Sequence, residues 1–461
     1  MIEEQLAHDV LEEALTRGGD FADLYVERRK TVALNLEDGR LERSSTGFDL
    51  GASVRVFSGR NISFVSTDSI DEGSLREAAR LAGEGSSDGG ASVRRLEAVR
   101  GSSRHPVEEP PAQTPAADKA GLLAAADDAA RAAGPEIVQA SCNYSDVVSE
   151  VLVANSEGVL AADERTRVRM SVQVVGARGG ITQTGFESVG AHRGMELFAR
   201  NQAADIGEAA ARKAITMLDS RPAPSGKMPV VLHRGFGGVL FHEACGHGLE
   251  ADAIEKGASV FRDKLGHKVA SGLVTLIDDG SVPNAWGSGA VDDEGVPTRR
   301  NVLIDAGELT GFLYDRLRAR NAGAQPTGNG RRQSYRHTPI PRMTNTFITG
   351  GDAPVDEIFA ATDRGFFAKT LAGGQVDPAT GDFVFGVSEG YLIEKGRVTT
   401  PLRGATLIGN GLVALNNIDL VADDFEMHIG VCGKDGQGVP VGSGQPTLRI
   451  LDLTIGGTEV G

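Results

Sequence analysis

The stretch LFHEACGHGLEAD (240–252) brings His242, Glu243 and His247 close together in the chain. A histidine pair with a glutamate beside the first is how many zinc proteases bind their metal and supply a general base, but there the histidines stand four residues apart. Here they stand five apart. On a regular α-helix, side chains four apart diverge by about 40° and side chains five apart by about 140°. A continuous helix therefore aims the two imidazoles away from one another. One extra residue absorbed as a π-bulge returns them to one face. Gly246 and Gly248, on either side of His247, permit that distortion or a helix end.

Catalytic zinc takes three protein ligands and keeps one position open. The candidates for the third are Glu250, Glu255, His267, His428 and Cys432. Glu250 follows His247 by three residues and can face the same way. Glu255 lies near the expected helix end and His267 in a loop, where solvated roles are the ordinary ones. His428 sits in a strand-like run, FEMHIG. Cys432 sits in VCGKDGQGVPVGSGQP, which reads as a Gly-dense loop able to approach another element closely. Cys142, in a strand pattern, and Cys245, inside the motif, read as small packing residues. A hydrolase also needs donors for a developing oxyanion. Tyr335, Arg336, His337 and Arg342 in SYRHTPIPRMTN are available, and each is equally suited to holding its own loop.

The elements that must position these groups are mostly strands. Leu6, Val10, Leu11 and Leu15 recur at helical spacing near the N-terminus. DLYVERRKTVALNLEDGRLERS and GFDLGASVRVFSGRNISFVST alternate apolar and polar residues around EDGR and SGRN, the pattern of antiparallel strands joined by tight turns. SLREAARLAGE, an Ala-rich run near 119–134 and MELFARNQAADIGEAAARKAITMLDS read as helices. Residues 85–118, rich in Ser, Gly and Pro, read as a mobile surface excursion. RPAPSGK (221–227) reads as a linker. The expected class is α+β: residues 1–220 form an N-terminal antiparallel sheet with helices. Residues 221–461 form a β-rich sandwich or barrel-like domain whose main helix carries the metal site.

Composition narrows the function. The chain has 461 residues, 61 of them glycine, and a net charge of −16. That balance argues against nucleic-acid binding, which calls for a basic face. No run of apolar residues is long enough to span a bilayer, and the acidic N-terminus lacks the features of a signal peptide. Three cysteines in such a chain point to a reducing, cytoplasmic setting.

Several long blocks resemble the TldD/PmbA family of metallopeptidases. They are FHEACGHGLEAD, VTLIDDGSVPNAWGSGAVDDEGVPTRRNVLIDAGELTGFLYDRLRA, PTGNGRRQSYRHTPIPRMTNTFITGG, GGQVDPATGDFVFGVSEGYLIEKGRVTTPLRGATLIGNG and VCGKDGQGVPVGSGQPTLRI. They stand in one order across nearly all of 228–461, and the similarity is to the catalytic branch. The resemblance implies a zinc peptidase with one ion held by His242, His247 and Cys432. It implies Glu243 as general base on a zinc-bound water, and unfolded polypeptides or peptides as substrate. It further implies a non-catalytic partner subunit of the TldE/PmbA type, with a second copy of the chain as the other arrangement. A thiolate ligand makes the metal less electrophilic, so the expected enzyme is slow. The competing expectation is a protein-binding regulatory module of the gyrase-modulator type, which has no need of Cys432.

Overall fold

The computed structural model describes residues 1–86, 89–99, 101 and 105–458. The N-terminal half is a seven-stranded sheet. Its strands Phe21–Glu37 and Arg40–Ser58 are joined by Asp38 and Gly39, both at positive φ. That is the turn geometry that Asp-Gly selects. Ile137–Asn155, Val159–Arg178 and Ile181–Ala191 continue the antiparallel ladder. Strand alternation sorts the side chains. Leu34, Cys142, Tyr144, Val168, Met170, Val172 and Val174 face the helices Ala116–Ala132 and Ala203–Leu218. The helices Glu4–Leu15 and Glu72–Glu84 cover the other end of that face.

The opposite face of the sheet receives the C-terminal half. Tyr25, Val151 and Val153 pack against Tyr335. Arg55 is fully buried and bridges Asp23 in its own sheet to Glu294 across the junction, at 2.7 Å. Burial of a cation is tolerated here because both carboxylates are present.

Part of 85–118, read from sequence as a surface excursion, lies outside the described residues (87, 88, 100 and 102–104). The described part is docked. Leu96 is buried in the core, and Glu97–Val99 adds a parallel strand beside Val159–Ala161. The Ser, Gly and Pro content concealed this short strand.

Among its described residues the C-terminal half holds three sheets, the smallest being the pair Gly330–Arg331 and Ile340–Pro341. Five strands close into a barrel: Arg364–Val376, Gly226–Leu232, Leu448–Gly456, Ala405–Asn410 and Asp382–Glu394, the last pairing back to the first. A six-stranded sheet ends in the hairpin Glu426–Lys434 and Gln437–Gln445. Between barrel and sheet lies the helix Gly238–Ala244, with Leu240, Phe241 and Ala244 in the large core of this half. The close approach explains Gly238: a Cβ there would lie 2.6 Å from the Gly444 backbone.

Candidate metal centre

The helix carrying His242 stops; it does not bulge. It ends at Ala244, Cys245 takes φ −126° and ψ −50°, and a 3-10 turn follows over Gly246–Leu249. The sequence left a π-bulge and a helix end open, and the chain takes the helix end. The break is held from outside, since Gly246 lies against Met343 so tightly that a Cβ would meet its Sδ. The change of axis turns His247 back toward His242, and their rings stand edge to face with centroids 5.4 Å apart. Cys245 is fully buried at the break, and burial pushes its thiol up. It packs, as expected.

Cys432 completes the group. One donor atom each from His242, His247 and Cys432 lie within 4.8 Å of one another. Cys432 Sγ is 3.3 Å from His247 Nε2. Cys432 is on the strand Glu426–Lys434, not in a loop. The turn is confined to Asp435 and Gly436, both at positive φ, again the Asp-Gly hairpin signature. Glu243 Oε2 lies 3.6 Å from His247 Nε2, and its side chain is about one third exposed, at 31%.

Glu250 is placed at the outer nitrogen of His247. Its Oε2 takes the contact with His247 Nδ1 at 2.9 Å, leaving Nε2 toward Cys432. This is the carboxylate–histidine arrangement that orients metal ligands. Lys434 Nζ holds the same Glu250 oxygen at 2.9 Å and Asp252 Oδ1 at 2.6 Å. Arg342, fully buried, donates to the Cys432 carbonyl at 2.5 Å and to the Gln437 carbonyl at 3.2 Å. Lys434 escaped the sequence reading. Its signal was there: two residues beyond Cys432 on a strand is the same face.

The remaining candidates lie elsewhere. Glu255 accepts from Asn321 at 2.7 Å and is exposed, as is His267. His428 packs edge-on to Phe236 and lines a cleft beside the site. Tyr335 and Arg336 bond Asp49 of the N-terminal sheet, and His337 bonds Ser334. Tyr335 and Arg336 secure the junction of the two halves and His337 holds its own loop, so these roles suit them better than that of oxyanion donor.

The electrostatics suit a cation. Burial raises the Cys432 thiol, but His242 and His247 beside it prevail and bring it down to about 5. Burial also opposes the charge on His247, yet Glu250 and Cys432 hold it well above the ordinary imidazole value. Burial raises Glu250, and His247 and Lys434 outweigh it, leaving the carboxyl at about 2. Both ring nitrogens of His242 are buried without a hydrogen-bond partner. Such orphans carry a cost unless something binds them. Two imidazoles and a thiolate form a donor set that suits zinc, so these residues fit the ion.

Two expected outcomes arise here. Glu250→Gln removes the charge behind His247 and should weaken metal affinity by about 10–100-fold, measured by competition with a chromophoric chelator. In the metal-free protein, the ultraviolet thiolate absorbance of Cys432 should titrate near pH 5. The sign follows from the depressed value: the thiolate stabilises the metal-free fold at high pH, and that contribution is lost as pH falls through about 5. A single thiol transition near the ordinary value of 9.0 would contradict this.

Comparison with known proteins gives a consistent picture. Three family models match in order: PmbA/TldA metallopeptidase domain 1 over residues 22–96, the central domain over 109–218, and the C-terminal domain over 225–457. The chain is 41% identical to a metalloprotease TldD homolog of Haemophilus influenzae, covering 96% of this chain and 94% of that one. It is 30% identical to a zinc metalloprotease TldD homolog of Saccharolobus solfataricus, covering 95% and 97%. The solved structure of TldE from Thermococcus kodakarensis superimposes with a TM-score of 0.79 at 21% identity, covering 98% and 99%. A Thermotoga maritima protein described as a modulator of a DNA gyrase gives 0.83 at 21% identity, covering 98% and 100%. At that identity these two structures speak for the fold alone.

Proposed function

This chain belongs to the PmbA/TldD family of metallopeptidases and is a peptide-bond hydrolase, and from that premise we propose how it works. His242, His247 and Cys432 bind one zinc ion, Glu243 is the general base, and the substrates are unfolded polypeptides or peptides. The observation that carries this reading is the orphaned His242 imidazole, facing a histidine and a low-pKa thiol.

When bound, zinc acidifies water and polarises a carbonyl oxygen. The chain's own residues do the rest. Glu250, locked by Lys434, keeps His247 Nε2 pointing at the site. Arg342 holds the strand that presents Cys432. Glu243, partly exposed, takes a proton from the attacking water and returns it to the leaving amine nitrogen.

A cleft of about 740 Å³ opens beside the site. Its walls include Val239, one helical turn before Glu243, and His428, on the strand of Cys432. The charges in it are matched: Lys213 with Glu187 at 2.8 Å, Lys369 with Glu389 at 2.8 Å, and Arg234 with Glu426 at 2.9 Å. Matched pairs and apolar side chains read backbone and bulk more than side-chain charge. That favours a sequence-tolerant peptidase. Main-chain bonding of an extended peptide to a strand edge is the mode that suits such a fold.

Membership of the PmbA/TldD family supports a TldE-type partner subunit, with a second copy of this chain as the other arrangement. Three unpaired, buried cysteines suit the cytoplasm. The test is zinc content together with cleavage of an unfolded and a folded polypeptide, by the chain alone and mixed with a TldE-type subunit. Chelator-sensitive cleavage of the unfolded chain is expected. Cleavage unaffected by metal removal, or none in either mixture, overturns the reading in favour of an association-only role.

A further inference from the structure

A second cavity, of about 210 Å³, lies between the N-terminal sheet and the hairpin carrying Cys432. Val431 and Pro440 line its hairpin wall. They are cross-strand partners, and alternation turns the next residue, Cys432, to the opposite face. The cavity therefore backs onto the metal centre across the thickness of one hairpin.

Its lining is unusually cationic. Arg29, Arg165, Arg167, Arg331 and Arg332 border it, with Asp293 as the lining carboxylate. Asp293 and Asp163 pair with Arg165, and Glu27 pairs with Arg29. Arg167 and Arg331 are left with main-chain carbonyls. Arg167 donates to the Trp286 and Ser288 carbonyls, both at 2.8 Å. Arg331 donates to the Met343 and Pro440 carbonyls. The Nε–H groups of Arg29 and Arg332 are buried without an acceptor. A guanidinium keeps its charge even when buried, and an unpaired buried cation is costly. Burial, with Arg165 and Arg331 close by, pushes Arg167 down to about 9. The walls thus carry five guanidiniums against one lining carboxylate, an excess of positive charge that matches oxyanions.

We propose that this cavity is a binding site for a small oxyanion, of the carboxylate or phosphate class, held by Arg167 and Arg331 between the N-terminal sheet and the Cys432 hairpin. The anion supplies the missing negative charge and ties the two halves of the chain together behind the metal site. Nothing in this inference depends on the cleavage reaction.

Trp286 is the one tryptophan in the chain and lines the cavity. Its fluorescence is therefore a direct reporter. The full chain is titrated with inorganic phosphate and, separately, with acetate, at ionic strength held constant with chloride. A saturable change in emission is expected, with a rise in melting temperature that follows occupancy. Saturation by phosphate alone identifies a phosphate-class ligand. Saturation by acetate as well identifies a carboxylate, including one carried by a peptide. Arg167→Gln and Arg331→Gln should each weaken binding by about tenfold or more, the value of a charge-assisted hydrogen bond. Should either fail to fold, Arg331→Lys keeps the charge, loses the fork, and should bind with intermediate affinity. No saturable change with either anion in the wild-type protein overturns the proposal. So does a change that survives undiminished in the arginine variants, which would place the anion at the metal centre or elsewhere.

Discussion

Glu243→Gln is expected to retain metal and to lose activity, with kcat down by about 10²–10⁴-fold, the usual contribution of a positioned acid–base group. The side chains are close to isosteric, so the helix Gly238–Ala244 and its packing should persist. What disappears is a carboxylate able to accept a proton beside the bound substrate. The other acid near His247 cannot replace it. Glu250 is fully buried and committed to His247 Nδ1 and Lys434. Zinc content measured beside kcat separates this from a ligand effect. Full metal with unchanged kcat would remove Glu243 from the mechanism.

Cys432→Ala is expected to do the opposite, taking metal and activity away together. It removes one of three donors and should cost more affinity than the ~10–100-fold that follows loss of an outer-shell partner. The variant should still fold. Cys432 contributes a small side chain to a large core, and its strand is held by nine cross-strand pairings and by Arg342 on its carbonyl. Substitution with cobalt gives a readout apart from activity. The wild-type protein should show the charge-transfer absorption of a thiolate–metal bond, and the variant should not. A persistent thiolate band in Cys432→Ala would point to Cys245 and contradict the burial seen here.

Much of the centre was legible as residue types. The spacing of His242, Glu243 and His247 marked the chemistry, and Cys432 stood among the candidates for the third donor. The strands of the N-terminal sheet were legible too, because alternation and Asp-Gly turns are local signals. Cys432 itself was placed in a loop because its neighbourhood is dense in glycine. Gly436 does mark the turn, but Gly442 and Gly444 mark close contacts instead. A Cβ at Gly442 would meet Asn345, and one at Gly444 would lie 2.9 Å from the Glu426 carbonyl. A strand pressed against its neighbours needs glycine as much as a turn does, and composition alone does not distinguish the two.

The sequence by itself supplied candidate donors: two imidazoles, a carboxylate beside the first histidine, and a thiol that stood among five choices for the third. The tertiary structure decided how they meet. A five-residue histidine spacing is unproductive on a straight helix, and it converges because the chain breaks at Cys245, with Gly246 wedged against Met343. The thiol proposed as third donor arrives from 185 residues beyond His247. Glu250 is made an orienting group by a lysine from that same distant strand. Local patterns encode which way a side chain faces along its own element. Which elements press together is set by the packing of the whole core, and no local pattern carries it.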